Sequence, residues 1–226
     1  MSSLNAVDSH TYSINDWNNY ARLFASVTLS AQLDVYKEAC AHLFGDVVDC
    51  GCGSAKIAPF LIDQQNIKSY TGLDYSKEMV EVASWVVQQL GRADFNIWQS
   101  KIEEFNGNLF DSAVSVQSYY SWPEPEKVLK HIYNMLKPNG IFVLATANPK
   151  LPFDEMAKDA WRELLTHPDF EAFKAYNLKL ASNPHARFVS LNDLVQEAMQ
   201  VGFKVESAHQ RYFRGGLNFV ILSKEA

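Results

Sequence analysis

The chain has 226 residues, 47% of them hydrophobic, with 26 acidic against 20 basic side chains and a net charge of −6. That is enough apolar material for one full core, and the acidic balance, with no run of lysines or arginines, lacks the electrostatic footprint of a nucleic-acid binder. The apolar stretches are too short to span a bilayer, MSSLNAVDSHTYSINDWNNY has neither a basic start nor an apolar signal core, and Cys40, Cys50 and Cys52 form no disulfide framework or metal set; a soluble, cytoplasmic protein acting on a small molecule is expected.

Short β-rich runs alternate with helical periods, which predicts a parallel sheet covered by helices. A first helix is expected after Ser30, with Leu33, Tyr36, Cys40, Leu43 and Phe44 on one face and Gly45 closing it. Strand one is Val47-Val48, a helix over Lys56 to Gln65 follows, and strand two runs from Ser69 to Leu73 and stops on Asp74. Ser76 caps a helix through Met79, Val80, Ala83, Val86, Val87 and Leu90 that Gly91 ends. Strand three is Phe95 to Trp98 and strand four Ser112 to Gln117. A helix carrying Val128, Leu129, Ile132, Met135 and Leu136 ends at Lys137-Pro138-Asn139-Gly140, and Ile141 to Thr146 reads as a strand buried on both faces.

The alternation breaks over residues 150–185, where Met156, Ala157, Ala160, Trp161, Leu164 and Leu165 form one helical stripe and Phe170, Phe173, Tyr176 and Leu180 a second. Ser190 to Asp193 has the form of a capping box opening a last helix, and Lys204 to Tyr212 and Leu217 to Ser223 read as an antiparallel pair.

The segment VVDCGCGSA, residues 47–55, carries the chemistry: a strand ending in Asp49 runs through Gly51-Cys52-Gly53 toward a helix. Glycines there let peptide amides approach a ligand that a side chain would hold off. The third glycine of a dinucleotide fingerprint is missing, since Gly53 is followed by Ser54-Ala55-Lys56, and no Gly-Lys-Ser/Thr ending makes a P-loop. Asp74, about 20 residues on and ending the second strand, is placed to accept the hydroxyls of a ribose. The plain alternatives are an Asp49 that caps its turn, a Cys52 that fills space and an Asp74 that serves only a turn.

Together with YTGLDYSKEM (70–79), the stretch 110–144 and the closing RYFRGGLNFVILSKE, this pattern resembles the class I S-adenosylmethionine-dependent methyltransferases, of the type 11 or UbiE-like small-molecule group. The resemblance implies an α/β fold, a Rossmann-like seven-stranded sheet with an antiparallel last strand and helices on both faces. It also implies one domain over 1–226, with residues 1–29 as a lid segment and 150–189 as a helical cap insertion after strand five. It places the methionine part of S-adenosyl-L-methionine on Asp49 and the backbone of Gly51, Cys52 and Gly53, its ribose on Asp74, and its adenine near Tyr75 and Met79. The family's adenine-binding Asp after strand three is replaced here by Lys101, so the backbone around Ile102 and Glu103 is the expected substitute. Gln117 and Ser118 would face the methionine part or the acceptor, and Tyr20 or Trp17, from Trp17-Asn18-Asn19-Tyr20-Ala21-Arg22-Leu23-Phe24, would cover the donor.

Methyl transfer from a sulfonium is a single in-line displacement, for which alignment supplies up to about 7–11 kcal/mol and no covalent residue is required. A base is needed where the acceptor is an O–H or a protonated amine. His131, His167 and His185 are candidates without an assignment, so no catalytic residue is named. Tyr119, Tyr120, Trp122, Trp161 and His167 are the expected substrate-binding set, with packing under the cap as the alternative for the aromatics. N- or O-methylation of a small molecule is the first functional reading. Methylation of protein or nucleic acid lacks an Asn-Pro-Pro-Tyr type motif after strand four, where Gln117-Ser118-Tyr119-Tyr120 stands, and a binding or regulatory module without turnover is the third reading.

Overall fold

The computed structural model describes residues 14–226; the first thirteen residues of the expected lid lie outside this range. Seven strands form one sheet in the order β3-β2-β1-β4-β5-β7-β6. They are β1 (Gly45–Cys50), β2 (Ile67–Asp74), β3 (Phe95–Gln99), β4 (Phe110–Val116), β5 (Leu136–Ala147), β6 (Lys204–Gln210) and β7 (Leu217–Ser223). β1 pairs parallel with β2 and β4, whereas β7 runs antiparallel to both β5 and β6. Because the strand order reverses between β1 and β4, the loops leaving these strands diverge and open a crevice at their carboxyl ends.

Two apolar layers sandwich the sheet. On one face α2 (Ser30–Ala41), the short α3 (Ala58–Leu61) and α4 (Lys77–Leu90) bury Val35, Tyr36, Leu61, Ala83 and Val87 against Val47, Tyr70 and Val114. On the other, α5 (Pro125–Met135) and α8 (Leu191–Val201) pack Leu129, Ile132, Leu194 and Ala198 against Val48, Ala113 and Phe142. The predicted caps hold: Ser76 Oγ accepts the Met79 N–H, Ser190 Oγ accepts the Asp193 N–H, and Gly91 closes α4 at φ +69.

A third apolar cluster sits over the crevice, built from α1 (Ile14–Ser26), α6 (Phe153–Leu164) and α7 (Phe170–Ala181). Its buried members are Tyr20, Ala21, Ala160, Leu164, Phe170 and Phe173 together with Val27, Leu29 and Met79, and the Tyr20 and Tyr176 ring centroids lie 4.8 Å apart.

Several boundaries differ from expectation. Ser30 is the first residue of α2, and the Leu29 N–H before it is capped by Gln32 Oε1. Gly45 opens β1 at φ +65 and does not close the helix, since its N–H is taken by the Asn66 carbonyl. The helix expected over 56–65 contracts to α3 because Ala55, at φ +57, keeps the chain in turns through the start of that segment. Lys137-Pro138-Asn139-Gly140 is an irregularity inside β5, where pairing jumps from Phe110↔Leu136 to Ser112↔Ile141. Lys137 there reaches Asp46 and Asp111 at 2.9 and 2.8 Å.

Candidate active site

A cavity of about 180 Å³ lies in the crevice, between the carboxyl ends of β1, β2 and β4 below and α1 and α7 above. Its floor is the glycine turn. Gly51 takes φ +77, and a Cβ there would stand 2.1 Å from Ser118 Oγ; Gly53 takes φ +54, with Phe24 Cε1 3.1 Å from a Cβ. Only glycine makes this bend while leaving the space above it open.

The amides of the turn do not point at a ligand. The N–H groups of Gly51 and Cys52 both donate to the Leu73 carbonyl at 2.9 Å, and Gly53 N–H donates to Asp74 Oδ2 at 2.9 Å. The expected contact by bare peptide amides is therefore corrected: these donors brace β1 against β2, and the glycines serve the cavity by lacking side chains. Asp74 Oδ1 accepts the Ser76 N–H at 2.9 Å, so its carboxylate is fixed by backbone donors, Tyr75 among them, and keeps lone pairs for a ligand.

Electrostatics at the floor are set by burial. Asp49 is 2% exposed; burial pushes its carboxyl up to about 7, against the lowering hydrogen bond from Tyr70 Oη at 2.7 Å, and the Asp74 charge adds to the rise. Burial also pushes Asp74 up to about 6, opposed by its backbone donors, and pushes the Lys56 ammonium down to about 7. The Cys52 thiol is driven well up by burial and is a space-filler, its sulfur packing 2.9 Å from where a Gly72 Cβ would stand.

The fourteen residues expected around the donor all line this cavity. Asp49, Gly51, Cys52 and Gly53 form its floor, with Asp74, Tyr75 and Met79 beside them at the end of β2 and start of α4. Lys101, Ile102 and Glu103 close one end; Lys101 pairs with Glu104 at 3.0 Å, and Ile102 is buried. Gln117 and Ser118 follow β4, where Gln117 adopts φ +59 and its Oε1 accepts the Ala147 N–H. Trp17 and Tyr20 come down from α1.

The substrate set divides. Tyr120 and Trp122 line the cavity, and Trp122 Nε1 donates to Ser118 Oγ at 2.9 Å. Tyr119 does not: it turns beneath the sheet's end, donates to Glu197 of α8 and accepts from Arg187 Nε at 3.2 Å. Trp161 is 51% exposed and outside the cavity. His167 is also outside, its Nε2 3.1 Å from the Ser26 carbonyl, where it ties the α6–α7 corner to the end of α1. In their place stand Phe153, Phe173, Tyr176, Asn177 and Phe188, with Gln32, Tyr36 and Lys56 from the α2 side. The helical spacing of Phe173 and Tyr176 was the available signal for the first group. Lys56 gave none beyond its place after the turn.

A model of the methyltransferase domain family matches residues 19–208. The chain belongs to that family. It is a class I S-adenosylmethionine-dependent methyltransferase of UbiE-like type, and the open cradle over Gly51 and Gly53, with the braced Asp74 beside it, fits that donor. The demethylmenaquinone methyltransferase of Lactobacillus johnsonii is 26% identical over 70% of this chain and 67% of its own length. The ubiquinone biosynthesis O-methyltransferase of Vibrio atlanticus is 30% identical over 52% of this chain, and the match spans 50% of that relative. Among solved structures, mycolic acid cyclopropane synthase CmaA1, complexed with SAH and CTAB, superposes with a TM-score of 0.69 at 14% identity, covering 96% of this chain and all of that one. The [4+2]-cyclase SpnF superposes at 0.61 with 15% identity, over 87% and 81% of the two chains. At such identities the likeness is one of fold, and the fold hosts several chemistries.

Proposed function

We propose that the enzyme methylates an oxygen or nitrogen of a small, largely apolar molecule held between the end of β4 and the α6–α7 pair. The observation that carries this reading is the continuity of the site: the cavity runs from the glycine turn to a wall of Tyr120, Trp122, Phe153, Tyr176 and Phe188. A second, more apolar cavity of about 110 Å³, between α6 and α7, shares Gln32, Gln117, Phe153 and Phe173 with the first. A flat or aliphatic body fits such walls, and a few amides, Gln32, Gln117 and Asn177, are available to orient it.

When bound, the donor would supply an electrophilic methyl carbon on a sulfonium: an acceptor lone pair would bond to that carbon in line as the C–S bond breaks, its electron pair leaving on the thioether sulfur, with any proton on the acceptor released to a base. In this reading the roles of the chain's residues are to position and to enclose. Asp74 holds the sugar hydroxyls with the lone pairs its backbone donors leave free, while Met79 and Ile102 flank the base. Tyr20 and Trp17, backed by α7, exclude water, which strengthens every polar contact inside. Residues 14–29 and 150–189 then act as lid and cap of one domain. The aromatic enclosure and the net charge of −6 speak against a nucleic-acid or protein acceptor, and the three free thiols suit a cytoplasmic enzyme. No helix among the described residues is long and apolar enough to cross a membrane.

Calorimetry with S-adenosylhomocysteine, followed by isotope transfer from labelled donor to a panel of phenols, catechols and aromatic amines, tests the reading. Binding with labelled product from that panel is expected. Absence of donor binding overturns it, and tight binding without label in any acceptor favours a regulatory module.

A further inference from the structure

Lys56 sits in the donor cavity with no role assigned by the family pattern or by the fold. It follows Ala55, whose φ of +57 turns the chain back over the glycine bend, where the Ala55 N–H bonds the Cys52 carbonyl at 2.9 Å. Its ammonium lies 4.0 Å from the centroid of Phe24, and that same ring abuts Gly53. Among the described residues one hydrogen-bond acceptor is within reach of the ammonium, the Val27 carbonyl at 2.5 Å, and no carboxylate lies within ion-pair distance. The other cation lining the cavity, Lys101, is paired with Glu104 at the far end.

The donor's amino-acid end carries an ammonium and a carboxylate. Asp49 supplies a carboxylate at the turn and Asp74 a second beside it, so the floor is rich in acceptors. The turn itself offers the carboxylate no donor, because the N–H groups of Gly51, Cys52 and Gly53 are already committed to Leu73 and Asp74, and Lys56 is the charged donor beside it. Resting on the donor site proposed above, we propose that Lys56 receives the α-carboxylate of the donor and makes the enzyme select donors with an intact amino-acid end. An ammonium has three protons, and the Val27 carbonyl takes one. Burial weakens the lysine's hold on its charge, and an anion beside it offsets that cost.

The competing role is mechanical: Lys56 would only tether the α1–α2 linker through Val27. Two ligands and two variants separate these. Calorimetry on the full chain would compare S-adenosylhomocysteine with its decarboxylated analogue, for wild type, Lys56→Met and Lys56→Gln. Charge-assisted hydrogen bonds predict that Lys56→Met weakens S-adenosylhomocysteine at least about ten-fold and shifts the decarboxylated analogue by less than about two-fold. Lys56→Gln, which can still donate to Val27 but carries no charge, should lose the same preference. Equal weakening of both ligands in Lys56→Met with recovery in Lys56→Gln overturns the proposal, as does no change in either. If the wild type binds neither ligand, the donor site itself is refuted and this inference with it.

Discussion

The floor and the roof of the cavity are built by different physics. The floor is backbone: β1, β2 and β4 are locked in register, and the bend at Gly51 is braced by N–H bonds to Leu73 and Asp74. The roof is side chains, with Tyr20, Phe173 and Tyr176 meeting as rings between α1 and α7. A floor of this kind is held by backbone geometry whatever side chains surround it, whereas ring packing can be exchanged residue by residue. The contrast explains how one fold keeps a donor while its acceptors vary.

The sharpest way to break this comparison is Gly51→Ala. A methyl group at φ +77, 2.1 Å from Ser118 Oγ, strains the bend and fills the cradle, so S-adenosylhomocysteine affinity should fall by about a hundred-fold in calorimetry. Tyr119→Phe asks whether a residue beneath the site matters to the fold alone. It leaves Glu197 and Arg187 short of a partner and should cost about 1–3 kcal/mol in denaturant unfolding, with donor affinity moved less than about two-fold.

Asp49 should record the strain of the floor in its pH dependence. Its carboxyl titrates near 7 when folded and near its ordinary 3.8 when unfolded, so the native state holds the extra proton in that window. Its contribution is therefore present below about pH 4 and is lost as pH rises through about 7. Asp49→Asn, which can still accept from Tyr70, should raise Tm by several degrees at pH 8 and change it little at pH 4. The smallest effect belongs to the outer face of the roof: Trp161→Ser should change stability by less than about 0.5 kcal/mol and leave donor affinity unaltered.

The residues of the cavity floor were readable because their signals are local. A strand that stops on Asp, a glycine pair and a second acid one strand later are fixed by backbone geometry within a few residues. Trp161, His167 and Tyr119 misled because an aromatic or a histidine near a crevice has several places to go. Trp161 lies on the helical stripe but α6 turns it outward, His167 reaches back to α1, and Tyr119 rotates under the sheet to α8. Helix α1 itself was legible only as an aromatic segment, because its packing partners lie far along the chain, in α4, whose capping Ser76 Oγ meets Asn18 58 residues away, and in α7, where Tyr176 meets Tyr20.

The sequence alone determined the strand-turn-helix succession, the caps at Ser76 and Ser190, a parallel sheet closed by an antiparallel pair of strands, and the acids near the ends of β1 and β2, since periodicity and turn chemistry act over neighbouring residues. Tertiary structure decided that the turn's amides face inward, that Lys56 enters the cavity, and which aromatics form its wall. Those outcomes depend on which distant surfaces meet, and no local spacing encodes that.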